Sequence, residues 1–469
     1  MHALDQTRGF GEVMFGHAQL GDRRRVRRLV SVTDQLCKHP GGSLPDKLKA
    51  PADLKALYRL CDCEQVTHQA VINSASEATL AALADHEGPV VIAHDSTELD
   101  YTSHKSLADQ LGQIGRGLAR GYVCHNSLAI DPDGREVLGL VGQILHHRIK
   151  APKNEPLAKS RARKSRESRL WLRGTERLPA DWRLVDVCDQ AADTFEFLEH
   201  EAHSGRRFVI RSWHDRQIHP GHQPTDSTRD LRTHVRSLRS IGGRAIDVAW
   251  QSRHGRRKAR PARRAKLLIS ACAVLVRPPR TKKGEHGDDP LPMWVVRVWE
   301  PYPPRGAERV EWFLLTNEPV DSLVDAMRVI GWYETRWVVE ELHKAMKTGC
   351  RIEALQFTKT SRLEPMIGVL STVAVTLLNL RAASRRPDAK TRRATTLISG
   401  DYVEILSIWR YGRVSVLSIH EFFFALARLG GHQNRRGDKR PGWLILWRGW
   451  ATLQAMLDGA ETIRRKTCG

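Results

Sequence analysis

The stretch Pro89-Val90-Val91-Ile92-Ala93-His94-Asp95-Ser96-Thr97 decides how the rest of the chain is read. Four consecutive apolar residues are too few for a helix and suit a fully buried strand. Asp95 then stands at the polar carboxyl end of that strand, where open α/β sheets gather ligands. Leu184-Val185-Asp186-Val187-Cys188 repeats the pattern and ends at Asp189. Phe208-Val209-Ile210 is a further strand, after a helical stretch over 193–200. Between the two aspartate-ended strands, 123–130 and 137–145 flank Asp131-Pro132-Asp133-Gly134, whose turn chemistry predicts a hairpin. Residues 153–177 are highly charged and read as helix.

The flanks differ in character. The first 70 residues read as helices. There Asp22 is positioned to cap a helix that begins Arg23-Arg24-Arg25-Val26-Arg27-Arg28, with Leu29, Val30, Val32 and Leu36 at near-helical spacing. That basic helix is either a solvated face or a DNA-contacting element. Residues 213–305 read as a β-rich, basic insertion, with Arg253, Arg256, Arg257, Lys258, Arg260, Arg263, Arg264 and Lys266 close together. Residues 321–347, with Asp321 as cap, and 363–383 read as long helices. The remainder is helical, with a basic segment at 430–441 read as flexible.

Composition narrows the partners. The chain has 469 residues, with 75 Lys+Arg against 53 Asp+Glu, a formal net charge of +22. At roughly 100–200 residues per domain, that length suits two to four domains. Such an excess of Lys and Arg points to an anionic polymer, since these residues displace counterions from phosphates. Eight scattered cysteines are no secreted disulfide framework. Asp5 and Arg8 interrupt the start, which predicts no signal peptide. The longest apolar stretch, 366–380, is broken by Ser371, Thr372, Thr376 and Asn379, which predicts no membrane span. Cys61-Asp62-Cys63 lacks a second pair at zinc spacing. Gly112 to Gly121 lacks a phosphate-loop lysine. His146-His147 reads as structural.

One helix carries the chemistry. In Tyr333-Glu-Thr-Arg336-Trp-Val-Val-Glu340-Glu-Leu-His-Lys-Ala-Met-Lys347, the four named residues fall at offsets 0, 3, 7 and 14. At about 100° per residue they share one narrow arc, with Val338, Val339, Leu342, Ala345 and Met346 opposite. Taken alone, this is also what a plain amphipathic helix with an Arg336–Glu340 pair looks like.

The spacing Tyr-x2-Arg-x3-Glu-x6-Lys resembles the YREK signature of bacterial insertion-sequence DDE transposases, the family that includes the transposon-five enzyme. The likeness runs over nearly the whole chain. Leu20-Gly21-Asp22 with its arginines resembles the family's N-terminal DNA-binding helix, with Arg23, Arg24, Arg25, Arg27 and Arg28 toward DNA. His94-Asp95-Ser96-Thr97 resembles the segment of the first catalytic acid. Val187-Cys188-Asp189 with Asp193 resembles that of the second. Ala427-Arg428-Leu429-Gly430-Gly431, with Trp447 and Trp450, resembles the C-terminal region. In one departure, Gln190-Ala191 stands where members usually carry Arg-Glu.

The resemblance implies an α/β fold with a helical DNA-binding domain at 1–70. A ribonuclease-H-like catalytic core would span 71–372, and a helical dimerisation domain 373–469. It implies Asp95, Asp189 and Glu340 as the catalytic acids, holding two Mg2+ ions for which Mn2+ can substitute. It implies a cut-and-paste reaction through a DNA hairpin. Tyr333, Arg336 and Lys347 would clamp a 5′ phosphate, Trp312 would stack on an unstacked base, and Arg211 would contact DNA. Trp337 reads as packing. The implied partners are double-stranded DNA, at the transposon ends and the target, and a second copy of the chain in a synaptic homodimer, with no membrane. The implied setting is the bacterial cytoplasm. Two alternatives compete. One is a catalytically silent DNA-binding protein from a decayed element. The other is a basic RNA-binding protein, which explains the charge but not the acids.

Overall fold

A computed structural model describes residues 9–39, 41–148, 156, 163, 165–250, 261–280, 285–435, 438 and 440–467. The chain is mixed α/β, with parallel and antiparallel strand pairs and helical termini. It opens on α1 (Phe10–Phe15), α2 (Arg23–Lys38), α3 (Leu44–Lys47), α4 (Pro51–Cys61) and α5 (His68–Leu83). Then come β1 (Val90–Asp100), β2 (Gly112–Gln113), β3 (Arg120–Asp131) and β4 (Glu136–His146), followed by α6 (Leu170–Thr175), β5 (Leu184–Cys188), α7 (Phe195–Ala202) and β6 (Arg207–Arg211). The β-rich part holds β7 (Gln217–Pro220), β8 (Arg229–Asp230), α8 (Leu231–Ser237), β9 (Gly242–Val248), β10 (Arg263–Val276), β11 (Leu291–Trp299) and β12 (Glu311–Thr316). Helices close the chain: α9 (Leu323–Thr335), α10 (Trp337–Lys344), a π-helical turn Ala345–Gly349, α11 (Thr360–Ser384), α12 (Gly400–Tyr411), α13 (Ile419–Leu429) and α14 (Trp443–Thr467).

Two compact units result, one of Met1–Glu87, Ser96–Ile149 and Val338–Gly469, the other of Gly88–Asp95 and Lys150–Trp337. In the second unit, the start of β1 pairs in parallel with β5, and β5 in parallel with β6. Every residue of β5 is buried, as a central parallel strand requires. Antiparallel partners follow outward: β12 on β6, β11 on β12, β10 on β11, and β7 and β9 on β10. The basic segment at 213–305 therefore extends the sheet through β7 to β11. Of its cationic cluster, Arg263, Arg264 and Lys266 lie on β10, and Arg253, Arg256, Arg257, Lys258 and Arg260 lie outside the described residues.

The first unit is organised on α11. Its 25 residues are long and apolar enough to cross a membrane, but 83% of its most apolar stretch is buried inside the protein, as in a core helix. The polar residues that interrupt it are satisfied within the helix. Ser371 donates to the Ile367 carbonyl at 2.7 Å and Thr372 to that of Gly368 at 3.0 Å. β3 and β4 form the expected hairpin, with register shifts at Ser127/Leu128 and Ala129/Ile130. Near the C-terminus, α13 and α14 touch backbone to backbone. A Cβ on Gly430 would meet the Ile445 carbonyl at 2.0 Å, and one on Gly449 that of Leu426 at 2.0 Å. Only glycine permits this crossing.

Several expectations need correction. β1 runs past the expected polar end to Asp100, with His94, Asp95 and Leu99 buried. The helix expected over 321–347 is broken. Its cap is Ser322, in a reciprocal box with Asp325, not Asp321. It stops at Thr335, whose hydroxyl bonds back to the Gly331 carbonyl at 2.9 Å, a contact that bends helices. It resumes at Trp337 and ends in the π-helical turn that carries Lys347. The helix expected over 153–177 contributes α6 and a 3-10 turn, Glu167–Arg169; most of 153–164 lies outside the described residues. So do Arg436, Gly437 and Lys439 of the segment read as flexible.

Candidate functional site

In the second unit, the parallel register ends on the pair His94 and Cys188. Asp95 follows His94 within β1, and Asp189 follows Cys188 just past the end of β5. Each aspartate thus stands one residue beyond the last pair of the parallel register. Asp95 is 9% exposed and pairs with the Arg336 guanidinium. That guanidinium lies 6.0 Å over the Tyr333 ring, and the Tyr333 ring lies 5.6 Å from that of Trp312. A continuous line of side chains thus runs from the acid through a cation to two aromatic rings. Tyr333 is buried within this line, not presented to solvent as the helical arc predicts. Arg211 faces Leu314 across the β6–β12 ladder, two residues along β12 from Trp312.

Asp189 leaves the sheet and caps a 3-10 turn, Gln190–Ala192, accepting from the Ala191 N–H at 3.0 Å. That bond uses one of its two oxygens. Asp193 does a different job. It accepts the N–H groups of Trp213 at 2.7 Å and His214 at 2.8 Å on Oδ2, and on Oδ1 it accepts from Arg216 Nε at 3.1 Å and Nη2 at 2.6 Å. It pins the chain leaving β6.

Beneath the two aspartates lies a network that sequence reasoning missed. His94 Nε2 bonds Asp186 at 2.8 Å, and Arg206 Nε donates to the other Asp186 oxygen at 2.6 Å. Arg206 also reaches Glu201 at 3.4 Å. Burial pushes the Asp186 carboxyl up, but His94 and Arg206 outweigh it and hold the group below its usual value. Burial, then the charge of Asp186, pushes Glu201 well above its usual value. Burial likewise raises the Cys188 thiol. The available signal was an Asp inside an apolar run, Val185-Asp186-Val187.

Glu340 and Lys347 belong to the first unit and are described within it. Glu340 lies on the half-exposed face of α10, 3.8 Å from His343 Nδ1. Asn126 Nδ2 donates to His343 Nε2 at 3.2 Å, so the proton of the neutral ring sits on Nδ1, facing Glu340. Lys347 Nζ donates to the Glu98 carbonyl at 2.5 Å and lies 3.6 Å from Glu353. Trp337 is 61% exposed. The expectation that it packs is wrong, because it follows the helix break on the polar side. Among the described residues, no three of His, Cys, Asp and Glu gather as a metal-holding group. The donor types still suit a hard divalent cation, which prefers carboxylate oxygen.

The N-terminal helices present a second functional surface. Asp22 caps α2, accepting the Arg24 N–H at 2.8 Å. Leu29, Val32 and Leu36 are buried on its inner face. Of the five arginines, Arg25 is tied to the Leu20 carbonyl and Gln65, and Arg28 to Asp53. Arg23, Arg24 and Arg27 are exposed. Residues 8–66 match the transposase DNA-binding family. The match supports a transposase, with DNA as its partner. Within the matched residues, Arg23, Arg24 and Arg27 are exposed cations, whereas Arg25 and Arg28 are tied to the scaffold. Replacing Arg23, Arg24 and Arg27 with alanine should lower the slope of log K against log salt by roughly 2–3, at about 0.9 per phosphate lost. Titration of DNA affinity against salt measures it. Alanine at Arg25 and Arg28 should instead lower the melting temperature.

Proposed function

We propose that the protein is a cut-and-paste DNA transposase of the DDE type, built on a ribonuclease-H-like core and working as a synaptic homodimer. The observation that supports this reading is the β1–β5 parallel register, which ends one residue before Asp95 on one strand and one residue before Asp189 on the other. The line Arg336, Tyr333 and Trp312 leads away from Asp95. Asp95, Asp189 and Glu340 would hold two divalent cations, Mg2+ by donor chemistry, which when bound activate water and stabilise a leaving oxygen.

The chain's own groups position the DNA. Arg336 fits a phosphate in bidentate fashion, and Lys347 acts as a point charge. A phosphate that engages Arg336 takes it from Asp95, so arrival of DNA readies the acid. Water first displaces the 3′ oxygen from phosphorus at the transposon end, freeing a 3′-OH. That hydroxyl then attacks the opposite strand; one P–O bond forms as another breaks, and a hairpin closes the end. Trp312 would stack on the base that this bend forces out, an unstacking that costs a few kcal/mol.

A catalytically silent DNA-binding protein is the second reading. The Arg336–Asp95 pair and the Gln190-Ala191 departure favour it. Cleavage of a labelled duplex carrying the terminal repeat, with Mg2+ and with EDTA, separates the two. Metal-dependent nicking followed by a hairpin supports the transposase; tight binding without a cut in any divalent metal supports the silent protein. Trp312→Ala should leave the first nick intact and reduce hairpin yield about tenfold. Unchanged yield would remove Trp312 from the base-stacking role.

A further inference from the structure

The first unit carries an exposed aromatic and cationic tip that neither the acids nor the DNA-binding domain accounts for. At the end of α12 and in the loop after it, Ile408, Trp409, Tyr411, Val414 and Val416 are between 41% and 76% exposed. Arg410 and Arg413 stand among them, and the Arg410 guanidinium lies 5.6 Å over the Tyr411 ring.

The tip is held in shape from beneath. Gly412 takes a left-handed φ of 72°, and its N–H closes on the Ile408 carbonyl at 2.8 Å. Ser415 N–H donates to the buried Ser407 hydroxyl at 3.1 Å. Leu417 is buried, its carbonyl accepts the Ala394 N–H at 2.8 Å, and Ser418 caps α13. A pre-shaped surface loses little freedom on binding.

We infer that this tip is a second DNA-contacting surface, one that packs aromatic and aliphatic side chains against unstacked bases of deformed duplex, without regard to sequence. Between Ile405 and Ser418 there is no acidic residue, so its charge complements phosphate. The same stretch holds no Asn, Gln, His or Lys to read base edges. Arginine interleaved with aromatic rings is the chemistry of base-stacking platforms. A second copy of the chain fits poorly. A two-fold contact would bring four arginines together. Five apolar side chains also fall short of the about 20–30 residues per side of a stable interface. The inference rests on DNA as partner and not on metal chemistry.

The test uses the full chain in EDTA and random-sequence duplexes, one fully paired and one with a short mismatched bubble carrying 2-aminopurine. Trp409→Ala with Tyr411→Ala should weaken bubble binding about tenfold and abolish the quenching of 2-aminopurine, with paired duplex little affected. Arg410→Gln with Arg413→Gln should reduce the bubble salt slope by about 2. Trp409→Phe with Tyr411→Phe should retain the quenching, which separates stacking from loss of fold. Bubble affinity and quenching unchanged in the alanine pair would overturn the inference. So would a shift from dimer to monomer in sedimentation with bubble affinity intact, which would make the tip a protein interface. Either failure leaves the DNA-binding domain's contact with DNA standing.

Discussion

Alanine at Asp95 or at Asp189 should reduce DNA cleavage by about a thousandfold or more and leave terminal-repeat binding within about threefold. The two residues each follow the last pair of the β1–β5 parallel register, and both are proposed to hold the same cations. Loss of either removes the charge that would hold a cation, worth several kcal/mol of transition-state stabilisation. At 1.36 kcal/mol per tenfold, that is about three decades in rate. Repeat binding is proposed to depend instead on α2, whose exposed arginines are far away in sequence and untouched. Glu340→Ala should behave like the aspartate variants if it is the third acid. Normal cutting by any one of the three would remove that residue from the set.

Asp193 supplies the control. It is an acid four residues from Asp189, and by sequence the two are hard to rank. The structure gives it buried contacts with Arg216 and two backbone N–H groups. Asp193→Ala should therefore lower the melting temperature, whereas Asp189→Ala should not. Cleavage and thermal melts on the same preparations tell the two losses apart.

The parts of the fold that local patterning governs were legible. Asp22 caps its helix, the Asp131–Gly134 turn closes its hairpin, and Val338, Val339, Leu342, Ala345 and Met346 are buried on one face. What escaped depends on contacts distant in sequence. The first strand was expected to close on His94-Asp95-Ser96-Thr97, yet it runs on to Asp100. His94 stays in the sheet because Asp186, 92 residues away, gives it a buried partner. The long helix broke where Thr335 bonds its own backbone, a choice that helical periodicity does not register. The sequence offers the candidate site as residue types at spacings; the contacts among those residues it does not offer. No spacing rule says that Arg336 would sit on Asp95, or that Tyr333 would be buried between Arg336 and Trp312.

The network beneath the aspartates makes the largest stability prediction. Arg206→Ala should destabilise the protein by about 3–5 kcal/mol, the usual consequence of removing one partner from a buried ion pair. Arg206, Asp186 and Glu201 have side chains at most 3% exposed, so solvent screens them little. Without the guanidinium, Asp186 keeps only His94 and stands beside a second carboxyl. The pH dependence has two opposed parts. Asp186 is held below its usual value, so its contribution is complete above the ordinary carboxylate range and is lost as pH falls through the folded value. Glu201 is raised, so the folded chain keeps its proton more firmly; its contribution is complete below its usual 4.5 and is lost as pH rises toward the folded value. Glu201→Gln, which cannot ionise, should therefore flatten the loss of stability on the alkaline side while leaving the acid limb to Asp186. Denaturant melts of the three proteins from acid to mildly alkaline pH resolve this. If Glu201→Gln steepened the alkaline loss, the glutamate would be charged in the folded chain, and Arg206 would be answering two carboxylates instead of one.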